Sequence, residues 1–445
     1  MSTQKKITCK KQAEDELSIW PYQVQGGKYV KILQKFVKNL REEDAANSNG
    51  NQKLFLDDVV IVYLLTFFNA SIKSLRTIED FSQTKQGQKH LNIRKICKST
   101  LSDFNALADP QRLQPLIHAL REGLDKTQTN GKKKDRDLSS LVAQAVAVDG
   151  TFIPALAEVL WAVQNRNQHG SQSYRARVDA MLQVDTWIPD AIVIPEPKQG
   201  EADSARQHIQ PGKIYLYDRG YNSLNLIADH HDLTDVAHPQ VQAEFIIRLK
   251  KDGEGKKKSA IGYTTIEERT LTDEDRAAGV VSDRIVQLNS DAARRLKLQN
   301  VFLREIVIEY EEDGETKTLS LLTNMLDVSA VVIGQLYRYR WQVELFFRWM
   351  KSYSNFRHLI SQTKNGMQLN LYVAIIGIML MYLHTGYRPS KYTFAMMSIV
   401  ANGGDTLEGI TTILRERERR CALARESQRK RNAKKRAEKM KQQTS

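Results

Sequence analysis

Three carboxylates stand out by their setting. Asp149 closes the apolar run Ala145–Val148, and Asp218 closes "IYLYD", where Ile214, Leu216 and Asp218 share one face of an extended strand. Each precedes a glycine, directly in Asp149-Gly150 and one residue later in Asp218-Arg219-Gly220. Taken singly, an Asp beside Gly at a strand end reads as a turn. Glu344 is the one carboxylate in "YRYRWQVELFFRWMK" (337–351), among four cations. On a regular helix, Tyr337, Arg340, Glu344 and Lys351 fall on a stripe about 60° wide and about 21 Å long. Trp341, Leu345 and Trp349 turn toward the neighbouring side, where they can pack. Pairing of Glu344 with Arg340 or Arg348 accounts for the charges but not for the alignment of all four residues. Two strand aspartates and a helix glutamate are hard oxygen ligands, suited to Mg2+ or Mn2+. Two such ions about 3.5–4 Å apart activate an attacking water or 3′-hydroxyl and stabilise the leaving oxygen, with no side-chain nucleophile needed.

The spacing Tyr337-x2-Arg340-x3-Glu344-x6-Lys351 resembles the Tyr-Arg-Glu-Lys signature of DDE-class insertion-sequence transposases, in the family named after insertion sequence four. "VDGTFI" (148–153) resembles that family's first-Asp motif and "YDRGY" (217–221) its second. "LLTNM" (Leu321–Met325) resembles the strand leading into the Glu helix. The resemblance spans roughly residues 55 to 385 and is strongest at 321–351. It implies an α/β fold, with a ribonuclease H-like mixed sheet and flanking helices, an antiparallel β insertion and a helical N-terminal domain. It also implies that Asp149, Asp218 and Glu344 are catalytic and hold two Mg2+ (or Mn2+) ions. The expected DNA contacts are Tyr337, Arg340, Trp341, Arg348, Lys351, Arg219 and Tyr221, with Trp341 stacking on an unpaired base. The implied partners are double-stranded DNA, as transposon ends and target, and a second copy of the chain in a synaptic homodimer. Residues 244–322 contain no tryptophan, which hairpin-forming members of the family use there, so Tyr263, Phe302 or Tyr310 would have to substitute.

The elements that must position these residues follow from the hydrophobic pattern. Before residue 137 the pattern is helical: a stripe in 26–44, buried helices over 56–81, and a helix, a break at Asp109-Pro110 and a second helix. Ser102 or Asp103 is a candidate cap for a DNA-recognition element, against the alternative of an ordinary helical hairpin. A polar linker at Thr127–Asp137 marks a boundary. Short β-rich runs follow over 138–243, with a turn around Asp185–Pro189. Alternating strands over 244–322 carry an Asp313-Gly314 hairpin turn. Helices resume over 323–390, and 391–445 is read as a C-terminal helix and basic tail.

Composition narrows the class. Three cysteines, Cys9, Cys97 and Cys421, lack paired spacing, which argues against a disulfide framework or zinc site and fits a reducing cytoplasm. The longest apolar run, Leu371–Leu383, is 13 residues, short of the roughly 20 a membrane span needs, and reads as a core helix. The net charge of +14 favours a polyanionic partner. Residues 415–445 carry 13 Lys/Arg against 4 Glu, or +9, and read as a disordered tail or a flexible phosphate-binding arm. The leading expectation is a transposase that binds terminal inverted repeats and cuts and rejoins DNA. The alternatives are a ribonuclease H-like nuclease without strand transfer and a transposase-derived DNA-binding protein that does not cut.

Overall fold

The computed structural model of the chain describes residues 54–68, 74–85, 95–128, 138–155, 163–166, 172–250, 261–312, 314–353, 363–386 and 407–443, with scattered positions elsewhere. The helix expected at 26–44, the linker at 127–137 and the lysine-rich stretch 250–258 lie mostly outside them. The chain divides into two compact units. One comprises Met1–Gln128, Tyr353–Ser361 and Tyr372–Ser445; the other comprises Thr129–Ser352 and Gln362–Leu371.

In the first unit, α1 (Leu56–Phe68) is apolar on nearly every face, and Val59, Val60, Val62 and Tyr63 are buried. Asp58 reaches back to accept the Phe55 amide at 3.1 Å, and Arg41 bridges Asp57 and Asp58. Helix α2 (Leu75–Gln83) opens with a reciprocal Ser74–Thr77 cap. Helix α3 (Lys98–Leu107) starts after Cys97, so Ser102 and Asp103 lie inside it and cap nothing. The expected break is present. Asp109 accepts the Gln111 amide at 3.0 Å, Pro110 opens a single 3-10 turn, and α4 (Gln114–Gln128) follows.

The second unit starts with α5 (Leu138–Gln144), β1 (Ala145–Ala155), β2 (Val163–Arg166), β3 (Gln172–Gln183) and β4 (Pro189–Val193). Next come α6 (Glu201–Arg206), β5 (Ile214–Tyr217), α7 (Leu224–Asp229), β6 (His231–Asp232), β7 (Gln240–Val241) and β8 (Glu244–Arg248). Then follow β9 (Tyr263–Glu268), α8 (Asp273–Ala277), β10 (Val280–Leu288), α9 (Asp291–Arg295), β11 (Phe302–Glu312) and β12 (Glu315–Thr323). Helices α10 (Ala330–Tyr337) and α11 (Trp341–Tyr353) close the series, joined by a 3-10 turn over Arg338–Arg340.

Among the described residues one mixed sheet runs in the order β2-β3-β1-β5-β8-β12-β11-β10-β9, with β4 also beside β3. Strands β1, β5 and β8 are parallel, and their other neighbours are antiparallel. The antiparallel strands expected over 244–322 therefore do not make a separate sheet. Strand β8 pairs parallel with β5, and β12 returns along β8 with Leu322 opposite Ile247. Sequence alternation could not show this, because strand pairing uses backbone groups that every residue carries. The expected hairpin turn is present: Glu312 pairs with Glu315, and Gly314 takes φ +81°. "TN" in the 321–325 motif has a local role. Thr323 donates to the Phe245 carbonyl at 2.5 Å, and Asn324 accepts the Phe245 amide at 2.9 Å and donates to Ala243 at 3.0 Å. These bonds fasten the end of β12 to β8 just before the chain leaves for α10.

Helix α12 (Lys364–Thr385) is long and apolar enough to cross a membrane, and its residues Leu371–Met381 are buried in the protein. Close packing there needs a glycine, since a Cβ on Gly377 would lie 2.7 Å from the Phe67 ring. The basic C-terminus, expected as a disordered or flexible arm, is helical: α13 runs from Leu407 to Gln443. Helix formers dominate it, and Glu416–Arg420 and Glu426–Lys430 pair one turn apart.

One buried histidine ties β5 to β8. His230 donates from Nδ1 to the Ala243 carbonyl at 3.1 Å and accepts at Nε2 from the Tyr217 hydroxyl at 3.1 Å. Its ring packs on Tyr215, Tyr217 and Phe245. Burial pulls its pKa from 6.5 down to about 3, so the unfolded chain binds the extra proton between those values. The stabilisation is therefore complete above pH 6.5 and is lost as pH falls toward 3. His230→Asn, which keeps a donor for Ala243, should be less stable than wild type at pH 7. That deficit should narrow by about 2 kcal/mol by pH 5, read from urea unfolding of both proteins. A pH-independent deficit would mean that His230 is not held neutral.

Candidate active site

Alternation along the strands decides which way the carboxylates face. Val146, Val148, Tyr215, Tyr217, Phe245 and Ile247 share one buried cluster on one side of the sheet. Asp149 and Asp218 follow Val148 and Tyr217, so they project to the opposite side. The parallel register pairs Val148 with Tyr217, so Asp149, which lies inside β1 and not at its end as the Asp-Gly pair suggests, comes beside Asp218, which follows the end of β5; adjacent strands lie about 4.8 Å apart. Tertiary structure thus joins two turn-like Asp-Gly signals 69 positions apart in sequence.

Glu344 comes to them on α11. Val343, Phe346, Phe347 and Met350 bury one side of that helix, and Phe346 meets the edge of Trp187 at 6.0 Å between ring centres. Lys351 donates to the Thr151 hydroxyl at 2.6 Å, fixing the helix to β1 two residues beyond Asp149. Arg340 lies between the acids: it donates to Glu344 Oε1 at 2.6 Å and stands 3.9 Å from Asp149 Oδ2. Arg248 approaches Asp218 Oδ1 at 4.0 Å, too far for a hydrogen bond, and that buried oxygen has no hydrogen-bond donor. Burial pushes Asp149 up to about 6. The Gly150 amide and Arg340 work against the shift, and Glu344 and Glu201 add to it.

The helix geometry differs from the sequence expectation at one end. The 3-10 turn over Arg338–Arg340 advances about 120° per residue instead of about 100°, so Tyr337 lies in line with Arg340 and stays on the stripe. Tyr337 is buried at 7% exposure, with Arg340 and Asp218 among its charged neighbours. Tyr221, also expected at the DNA surface, is 1% exposed, its ring 5.2 Å from that of Tyr217. Neither tyrosine presents a surface to a strand in this conformation. Trp341, expected to have a packing side, is 47% exposed, and Arg348 and Arg219 are also exposed. The side chain of Trp349 lies outside the described residues.

Sequence reasoning missed Glu201, the first residue of α6. It stands among Asp149, Asp179, Asp218 and Arg177. No local signal marks it, because it opens a six-residue helix between strands, a common place for an acid. Among the described residues no three metal-ligating side chains converge on one point. The donor set nonetheless fits a hard divalent cation: carboxylate oxygens only, one of them buried without a donor, bridged by a guanidinium where positive charge is required.

Residues 141–380 match the family model described as a transposase DDE domain. A protein of Sinorhizobium fredii named as a transposase, y4zB, is 28% identical over 236 residues, 53% of this chain and 59% of its own length. A Geobacillus stearothermophilus protein named as a transposase for insertion sequence element IS5377 is 28% identical over 172 residues, 38% of each chain. The chain thus spans less than two thirds of either relative. Among solved structures, a piggyBac transposase synaptic complex with hairpin DNA aligns over 86% of this chain and 79% of its own, at a TM-score of 0.39 and 11% identity. A likeness of that size carries no chemistry.

The tightness of the site is testable at Gly150. A Cβ there would lie 2.8 Å from Asp179 Oδ1 and 3.3 Å from Glu201 Oε1. Asp179 cannot readily yield, because Arg177 grips both of its oxygens at 2.9 and 3.1 Å. Gly150→Ala should cost about 1–3 kcal/mol in urea unfolding. An unchanged midpoint would mean that Asp179 is free to move.

Proposed function

The chain belongs to the transposase DDE domain family, and from that premise we propose a DNA transposase that binds the terminal inverted repeats of its insertion sequence and cuts and rejoins strands. The observation that carries the reading is the register Val148↔Tyr217. It sets Asp149 and Asp218 together on one face, with Glu344 linked to Asp149 through Arg340. The order β4-β3-β1-β5-β8, with β1, β5 and β8 parallel and a helix on either side of β5 in the chain, supports a ribonuclease H-like core. The Tyr-Arg-Glu-Lys spacing supports the narrower family named after insertion sequence four.

Asp149, Asp218 and Glu344 would hold two Mg2+ or Mn2+ ions. When bound, such ions make a water or 3′-hydroxyl nucleophilic and stabilise the leaving oxygen. The chain's own residues supply the rest. Arg340 balances the acids before binding, and its forked donors suit a phosphate once it is released from Glu344. Lys351 places a positive charge two helical turns beyond Glu344 while tying the helix to β1. Arg348 and Arg219 offer exposed cations, and Trp341 an exposed ring on which an unpaired base can stack. Tyr337 and Tyr221 act from below, as packing that fixes Asp218 and the turn after it. The +9 segment on α13 adds sequence-independent phosphate affinity. Synapsis of two ends calls for a homodimer on double-stranded DNA, acting in the bacterial cytoplasm.

The test is incubation of the chain with end-repeat DNA, a target plasmid and Mg2+. Wild type should yield joined products. Glu344→Ala should lower cleavage by at least about a hundredfold, with end binding within about threefold, well under the 1.4 kcal/mol that a tenfold change represents. Near-normal cleavage by Glu344→Ala would overturn the assignment. Cleavage by wild type without joining would favour the nuclease.

A further inference from the structure

Two glycines follow the strand aspartates closely, and one side chain lies against both. A Cβ on Gly150 would lie 3.3 Å from Glu201 Oε1, and a Cβ on Gly220 would lie 3.3 Å from Glu201 Oε2. The Glu201 carboxylate thus spans the gap between β1 just after Asp149 and the turn after Asp218. We propose that Glu201 is a fourth carboxylate of the cation site, facing the divalent cation held between Asp149 and Asp218. This rests on the site reading above and adds a residue that the three motifs do not contain.

A first-turn acid on a helix is ordinary, so the direction of this one matters. Asp203 sits in the same turn of α6 with its side chain 58% exposed, and serves the helix terminus equally well. Glu201 instead turns inward, toward Asp179 and Asp218. The cation beside it, Arg177, directs its hydrogen bonds elsewhere, to both oxygens of Asp179 and to the Gly200 carbonyl. A half-buried carboxylate among carboxylates is unfavourable unless something positive joins them.

Tyr221 is the second, independent observation. It is 1% exposed, its hydroxyl has no hydrogen-bond partner, and its nearest charged neighbours are Glu201, Asp149 and Asp179. A buried hydroxyl left without a partner beside three acids needs an oxygen or a bound water there. A hydrated divalent cation supplies that water and also the missing positive charge.

The test is Mn2+ binding to the full chain without DNA, followed by electron paramagnetic resonance, together with thermal unfolding of the metal-free proteins. Wild type should bind Mn2+ and Asp149→Asn should lose it. Glu201→Gln should weaken Mn2+ about tenfold, with Glu201→Asp recovering part of the loss and Asp203→Asn matching wild type. Metal-free Glu201→Gln should melt at or above the wild-type temperature, since a repelled charge has been removed. Wild-type Mn2+ affinity in Glu201→Gln, with Asp149→Asn still deficient, would overturn the fourth carboxylate and leave the three-residue site standing. A lowered melting temperature of metal-free Glu201→Gln, not recovered by Glu201→Asp, would assign Glu201 to structure and also overturn it. No Mn2+ binding by wild type, or unchanged binding by Asp149→Asn, would overturn both readings.

Discussion

Everything at the candidate site depends on a charge problem set by strand register. Once Val148 pairs with Tyr217, Asp149 and Asp218 must lie beside each other on one face of the sheet, where β1 runs past the end of β5. Helix α11 then adds Glu344. Burying like charges together is costly, and the surrounding structure answers that cost with cations that reach the two strand aspartates only at long range. Arg340 grips Glu344 and only approaches Asp149, and Arg248 only approaches Asp218. Burial pushes Asp149 up to about 6, and Arg340 only partly offsets it. A structural cluster would close these gaps with full salt bridges, as Arg304 and Asp283 do in the same sheet at 2.6 and 2.7 Å. The contrast within one protein is the physical case for a site that accepts a further cation.

The scaffold holds this unfavourable arrangement from several sides. His230 and Asn324 secure β5, β8 and β12 through buried hydrogen bonds, so the strand that leads into Asp218 is held against its neighbours. The Glu helix is anchored by Phe346 against Trp187 and by Lys351 on Thr151. Trp187 itself takes φ +64° in the turn between β3 and β4, a conformation uncommon for a large side chain. Its ring meets Phe346 on the helix that carries Glu344.

Much of this was legible in the residues. The strand run ending before Asp218, the hairpin at Gly314, the break at Asp109-Pro110 and the Glu helix follow from local patterns, whereas β1 runs on through Asp149-Gly150 to Ala155 because β3 pairs with it there. The failures share a cause. The continuous sheet through β8 depends on backbone pairing, to which side-chain alternation is blind. Tyr337 keeps its place in line with Arg340 but is buried beside Asp218, a packing that is decided only once β5 and the Glu helix are brought together. Tyr221 and Glu201 exchanged expectations: the motif tyrosine is buried, and an acid without a motif faces the site. Neither could be seen before β5 was placed beside β1.

The central claim is that Asp149, Asp218 and Glu344 together hold the divalent cations. Iron(II) can replace the hard cation, and with ascorbate and peroxide it cuts the peptide backbone nearest to it. Cuts should then cluster around residues 149, 218 and 344 together, compete with added Mg2+ and disappear in Asp149→Asn. Cuts confined to one of these segments, or clustered elsewhere in the chain, would contradict the account.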